Sequence, residues 1–481
     1  MKKIIGAAIG NCVHIGGLYH FLKLAEAEGY KTESLGPAVS VKRLVKVISD
    51  EKPDIVAISY RLTPETASEL FSELRDELCK SEFENARMIF GGTPPVAEVA
   101  LRSGLFEKVF DGTESIEGIR KYLRGGGKDD EQVYYASTLA ERIKQKYPYP
   151  LIRHHFGRPT LEETVEGAAL IAETGVLDVL SIGPDQNAQE HFFHPEDMDQ
   201  SQDGAGGVPL RKPEDLEAIF RATRRGNYPL VRCYAGTRDL IKWAEMSVAT
   251  INNAWGAIPL TWYSVLDGRS KRHVDEAIRE NQEVMRWYAQ RGIPVEVNES
   301  HQWSLRDAHD ALAVAMAFLA AYNAKKAGVR HYVSQYMFNT PPETSAEMDL
   351  AKMLAKDDLI EELADESFTI FRQVRAGLAH FSPVPSIAMG QLAASAVVSL
   401  ALKPHIFADE LIQSCNIVHG VLRNVLYGMP DLTASNKVND RKNELKYEAK
   451  VILDELYKRG KNKSADPWSD PETISEAIKT G

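Results

Sequence analysis

His14 and the pair Gly16-Gly17 stand between two runs of different character. The apolar run from Lys3 to Ile9 reads as a strand, and Leu18 to Ala25 reads as a helix. A histidine and two glycines therefore occupy a strand-to-helix loop at the carboxyl edge of a sheet, the edge where open α/β folds bind ligands. Two more landmarks follow. Forty-one residues separate Gly17 from Ser59, which ends the apolar run Asp54-Ile55-Val56-Ala57-Ile58, and 29 separate Arg61 from Gly91-Gly92, which close the run Ala86 to Phe90.

Together these landmarks read Cys12-x-His14-x-x-Gly17, then Ser59-x-Arg61, then Gly91-Gly92. The pattern resembles the cobalamin-binding domain of B12-dependent mutases and methyltransferases, with Cys12 where that family has aspartate and Arg61 where it has leucine. The resemblance implies that His14 is the lower axial ligand of cobalt. It also implies that Gly16, Gly17, Gly91 and Gly92 leave a slot for the nucleotide tail, that Ser59 and Arg61 lie along it, and that Thr113 is a further contact. A metal-bound histidine usually gives its other ring N–H to a carboxylate or carbonyl. Cys12 is a poor substitute for that carboxylate.

The elements that must position these groups alternate. Strands are expected near 3–9, 30–35, 53–59, 86–91 and 107–111, with helices near 17–28, 40–50, 64–81, 95–104 and 115–123. That order predicts a flavodoxin-like, doubly wound parallel sheet over residues 1–124. The cluster Arg124-Gly125-Gly126-Gly127-Lys128-Asp129-Asp130 has nothing to bury and opens a linker over 125–145. A longer alternation over 146–430 predicts a (β/α)8 barrel of the TIM type, with a helical tail at 431–481. Its strands are expected at 150–155, 178–182, 228–234, 247–251, 294–297 and 331–335, and two weaker ones near 386–388 and 399–402.

The barrel region resembles the catalytic chain of glutamate mutase in Leu230-Val231-Arg232 followed by Gly236-Thr237, in the helix from Asp310 to Ala321, and in Leu402-Lys403-Pro404-His405. By that resemblance Arg232 contacts a substrate carboxylate and Lys403 lies near an adenosyl group. The family's glutamate after Pro-His is Ile406 here, and no acid stands among Asn252, Asn253 and Ala254. Guanidinium binds carboxylate bidentately, so Arg153 and Arg158, on and after the first barrel strand, are further candidates. Asp185-Gln186-Asn187, Glu299 and His301 are other polar candidates. Glu190-His191-Phe192-Phe193-His194 is a poor metal set, because Pro195 breaks a helix that would align the histidines. The loop from His194 to Val208 reads as a lid or a subunit contact.

At 481 residues the chain exceeds one compact domain. A net charge of −11 argues against a general nucleic-acid binder. No signal-like start and no 18-residue apolar span is apparent, so a cytoplasmic protein off the membrane is expected. Four scattered cysteines form no Cys-x-x-Cys, and none of the Cys-x-x-x-Cys-x-x-Cys clusters of radical SAM enzymes. The resemblances imply an adenosylcobalamin-dependent isomerase, a radical mutase acting on a small carboxylate or amino acid. A homodimer or a separate partner subunit is also implied. A corrinoid methyltransferase and a non-catalytic cobalamin-binding protein are the alternatives.

Overall fold

The computed structural model describes residues 2–80, 87–112, 114, 116–123, 135–234, 238–409, 412–425 and 431–481. The chain divides into two compact units, Met1–Val133 and Tyr134–Gly481.

In the first unit the strands are β1 (Lys3–Ala8), β2 (Lys31–Ser34), β3 (Ile55–Ser59), β4 (Arg87–Gly91) and β5 (Lys108–Phe110). They form one sheet in the order β2-β1-β3-β4-β5, parallel throughout. β1 and β3 are buried almost residue by residue, as a strand covered on both faces must be. Helices Val41–Glu51, Pro64–Cys79 and Pro94–Ser103 cover one face, and Gly16–Ala27 and Ile116–Leu123 contribute to the second cluster. Their starts are locally specified: Ser40 Oγ accepts Arg43 N–H, and Thr63 accepts Thr66 N–H ahead of Pro64. The strand order reverses between β1 and β3, so the loops after these two strands flank the switch-point crevice.

The second unit contains β6 (Leu151–Phe156), β7 (Val179–Ile182), β8 (Leu230–Cys233), β9 (Gly256–Ile258), β10 (Val295–Val297), β11 (His331–Phe338), β12 (Thr369–Ala376) and β13 (Ile406–Asp409). Their sheet runs β8-β7-β6-β13-β12-β11-β10-β9, every pair parallel, and a parallel bridge from Tyr234 to Ala257 joins the two ends. The result is a (β/α)8 barrel.

Three expected strands are corrected. Ser247–Ile251 is the end of helix Leu240–Ile251, because Leu240, Trp243, Ala244, Ser247 and Ile251 share one buried helical face despite the β-branched residues. The fourth barrel strand is instead the three-residue Gly256–Ile258. Residues 386–388 lie in helix Pro385–Ser399 and 399–402 end in a 3₁₀ turn; the last two strands are β12 and β13.

Within the stretch read as linker, helix Leu139–Lys146 belongs to the second unit, with Leu139 in the apolar cluster at the amino ends of the barrel strands. The stretch read as a tail is also packed: helix Asn436–Gly460 lies against Asp310–Lys326 and Ala346–Glu361, and helix Pro471–Thr480 against Val274–Ala289. Among the described residues one segment, Pro385–Leu402, is long and apolar enough to cross a membrane by length and composition alone. It forms the connection between β12 and β13, and a third of it is buried.

Candidate functional site

At the carboxyl edge of the first sheet, His14 projects from the loop after β1 and is exposed, as are Gly16 and Gly17. A Cβ added at Gly16, Gly17 or Gly91 meets nothing within 4 Å. Gly92 differs: a Cβ there comes within 2.6 Å of the Tyr60 carbonyl and 2.7 Å of the Phe90 ring. Gly92 is therefore required by packing, whereas the other three leave open space. Ser59 is buried at the end of β3 and Arg61 beyond it is exposed. Thr113 lies outside the described residues.

Cys12 is fully buried in the core beneath this loop, its amide donating to the Ile9 carbonyl at 3.3 Å. A carboxylate at that position would have to be desolvated among apolar groups, which is a physical reason for a thiol there. Asn11 does not take over the orienting role, since its Oδ1 accepts the hydroxyl of buried Tyr60 at 3.3 Å. Among the described residues His14 has no hydrogen-bond partner. An accessible imidazole and a trough without side chains, the two features a corrinoid needs from this edge, are both present; among the described residues no carboxylate hydrogen-bonds the imidazole.

In the barrel, side chains facing the lumen recur with period two along each strand. The first layer is apolar and seals the amino end: Leu151, Val179, Leu230, Val333, Phe371 and Ile406. Two residues further along, the layer turns polar, with Arg153, Ser181, Arg232, Gln335 and Gln373, all buried. Arg153 donates to Gln373 Oε1 at 3.3 Å and to Ser181 Oγ at 3.2 Å, and Arg232 Nε donates to Ser181 Oγ at 2.9 Å. Glu296 of β10 accepts Trp255 Nε1 at 2.6 Å and faces Arg232 Nη1 at 3.6 Å. Burial alone would raise the Glu296 carboxyl, but Arg232 and Arg153 outweigh it and hold the group below its ordinary value.

The third layer opens to solvent. Arg153, His155, Arg375, Ala376, Leu378, Phe381 and Ala408 line a shallow recess at the carboxyl ends of β6, β12 and β13. This is the end at which barrels of this kind carry their chemistry. His155 is solvent-accessible there, with Nδ1 3.2 Å from Ser181 Oγ. Desolvation inside the mouth, then the positive charges of Arg153, Arg232 and Arg375, keep its imidazole well below the usual range.

Of the four barrel candidates, the fold brings two together. Arg153 lines the recess, whereas Arg232, in the same polar layer, is almost wholly inaccessible and has its guanidinium 5.2 Å from the Trp255 ring centre. Arg158 is on the surface 3.8 Å from Glu163. Lys403 precedes β13, at the opposite end from the recess, and is exposed with a left-handed backbone. Asn252 and Asn253 precede β9 rather than follow a strand, and Asn253 accepts the Cys233 amide. Asp185 is sealed under Arg211, and Glu299 accepts the amides of Leu260 and Thr261, so both hold loops. His194 is engaged by Asp239 at 2.8 Å and Asp197 by Arg238. Sequence reasoning missed His155, Arg375 and Glu296. The available signal was charge at alternate positions of a strand, Arg153-His154-His155 and Gln373-Val374-Arg375, which a fully enclosed parallel strand tolerates only where it faces a polar lumen or a site.

Residues 2–119 match the family model of the B12 binding domain. Among solved structures, a cobalamin-binding protein from Desulfitobacterium hafniense DCB-2 is 28% identical over 26% of this chain, with a TM-score of 0.22. The chain spans 58% of that protein's length. A 2,3-dimethylmalate lyase of the PEP mutase/isocitrate lyase superfamily matches 66% of the chain at 11% identity (TM-score 0.31), covering 99% of its own length. The cobalamin-dependent S-adenosylmethionine radical enzyme OxsB matches at 9% identity, covering 66% of its length and 100% of this chain (TM-score 0.26).

Proposed function

We propose that the chain is a cobalamin-dependent enzyme, a mutase that rearranges the carbon skeleton of a small carboxylate or amino acid held in the barrel mouth. The observation that carries the cofactor is the B12 binding domain match over residues 2–119, on which the exposed His14 and the open trough at Gly16, Gly17 and Gly91 coincide. His14 would ligate cobalt, with the glycines and Ser59 accommodating the tail. When bound in its adenosyl form, the cofactor supplies a carbon-centred radical by homolysis of its cobalt–carbon bond.

This chain's own residues do the rest. Arg153 and Arg375 converge on one recess, where guanidinium groups suit a carboxylate. Ser181, Gln373 and Glu296 hold Arg153 and Arg232 in place from other strands of the barrel, so the recess has a rigid floor. The apolar layer beneath seals that floor against water. Arg232, read from sequence as a carboxylate contact, acts in this account as a positioning residue.

The test is to incubate the full chain with adenosylcobalamin and a panel of amino and dicarboxylic acids, following isomerised product by NMR. Product that disappears in Arg153→Ala while corrinoid retention persists supports the mutase reading. Transfer of a methyl group from methylcobalamin, with no isomerisation of any acid, would favour a methyltransferase instead.

A further inference from the structure

Ser181 Oγ is within hydrogen-bonding distance of three nitrogens: Arg232 Nε at 2.9 Å, Arg153 Nη2 at 3.2 Å and His155 Nδ1 at 3.2 Å. A hydroxyl has one hydrogen and two lone pairs, and guanidinium nitrogens only donate. Arg153 and Arg232 therefore fill both lone pairs. The one remaining hydrogen points to His155 Nδ1, which must be an unprotonated acceptor. In the neutral ring the proton then resides on Nε2.

We infer that Ser181 holds His155 as its Nε2–H tautomer, and that this N–H is a neutral donor to an oxygen of the carboxylate bound beside Arg153 and Arg375. The donor role rests on the carboxylate reading given above; the tautomer does not.

Other features agree. Gly183 lies against the ring, and a Cβ there would come within 2.5 Å of Nε2, so glycine at 183 makes room for the imidazole. The charged and titratable groups whose fields act on the ring among the described residues are Arg153 and His154 of its own strand, Arg232 of β8 and Arg375 of β12. Protonation would add a third donor at an oxygen with no lone pair left, amid three guanidinium groups. A neutral donor among cations selects for an acceptor oxygen and against an ammonium group at this point of the ligand. Its strength also does not change across neutral pH, as an imidazolium's would.

The experiment uses the full-length protein labelled with [¹⁵N]histidine, and two-bond ¹H–¹⁵N correlations identify the tautomer, with His155→Gln assigning the signals. The expected result is a pyridine-like Nδ1 and a pyrrole-like Nε2 that persist from about pH 5.5 to 8, and mixed tautomers in Ser181→Ala. An Nδ1–H pattern, or a ring protonated on both nitrogens at about pH 6, would overturn the tautomer.

Succinate binding measured by calorimetry tests the donor. His155→Gln retains an N–H donor and is expected to stay within about threefold of wild type, whereas His155→Leu loses about tenfold. Wild-type affinity in His155→Leu overturns the donor role. Failure of succinate to bind the wild type overturns the carboxylate reading and the donor role with it, and leaves the tautomer to the spectrum.

Discussion

Arg232 Nη1 and Glu296 Oε2 face each other at 3.6 Å in the middle of the barrel lumen, both side chains sealed from solvent. Removing one partner of such a pair leaves an uncompensated buried charge, which costs about 3–5 kcal/mol. Glu296→Gln should therefore lower the stability of the barrel's unfolding transition in urea by about that amount. An unchanged midpoint would mean that Arg232 is neutralised by something other than Glu296.

Glycines on the first unit separate into two kinds. Gly92→Ala forces a methyl against the Tyr60 carbonyl and should destabilise the unit by about 1–3 kcal/mol. Gly17→Ala and Gly91→Ala meet open space and should leave the melting temperature alone while weakening corrinoid retention. Equal stability loss in all three would show that the open positions serve packing.

The same distinction explains how much of this unit was legible in the sequence. Its strands are short apolar runs ended by small or polar residues, and the helices at Val41, Pro64 and Pro94 start at a cap or a proline, so elements and landmarks fall close to their expected places. The barrel was less transparent. β9 is only Gly-Ala-Ile, and β12 carries Arg372, Gln373 and Arg375, which hide a strand from any search for apolar runs. Conversely, Val248, Thr250 and Ile251 look like strand residues but continue a helix whose buried face began at Leu240. Tertiary packing decided these cases. The recess was hidden for the same reason: Arg153 and Arg375 are 222 positions apart and meet only when β6, β13 and β12 pair side by side.

His405 accepts the Arg372 amide at 3.0 Å, and burial with the Arg372 charge pushes its pKa down to about 4. Below about pH 6.5 the unfolded chain takes up a proton that the folded ring refuses, so stability is lost as pH falls from 6.5 towards 4. This one group contributes a slope of at most about 1.4 kcal/mol per pH unit. His405→Asn retains an acceptor without the titration and should flatten the decline in urea midpoint over that window. A profile identical to wild type would remove His405 from the account.

Lys352 and Lys356 are both buried on helix Ala346–Glu361. Lys352 donates to the Thr340 carbonyl at 2.6 Å and pairs with Asp310 at 3.1 Å. Burial, then the neighbouring Lys352 charge, pushes Lys356 down to about 7. An amine that stays protonated to about pH 10.4 when unfolded but only to about 7 when folded makes stability rise with pH between these values. Lys356→Met should stabilise the protein by about 1–4 kcal/mol at neutral pH and flatten that rise. Destabilisation would show that the buried amine makes a net favourable contribution.

On the proposed function, residues 2–119 hold a corrinoid through His14. The most direct measurement is the ultraviolet–visible spectrum of the full chain mixed with adenosylcobalamin and passed through gel filtration, wild type beside His14→Ala. The account predicts retained corrinoid in the wild type, with a base-off, histidine-ligated spectrum that disappears in His14→Ala. Folded wild-type protein that retains no corrinoid, or a spectrum indifferent to His14, would contradict it.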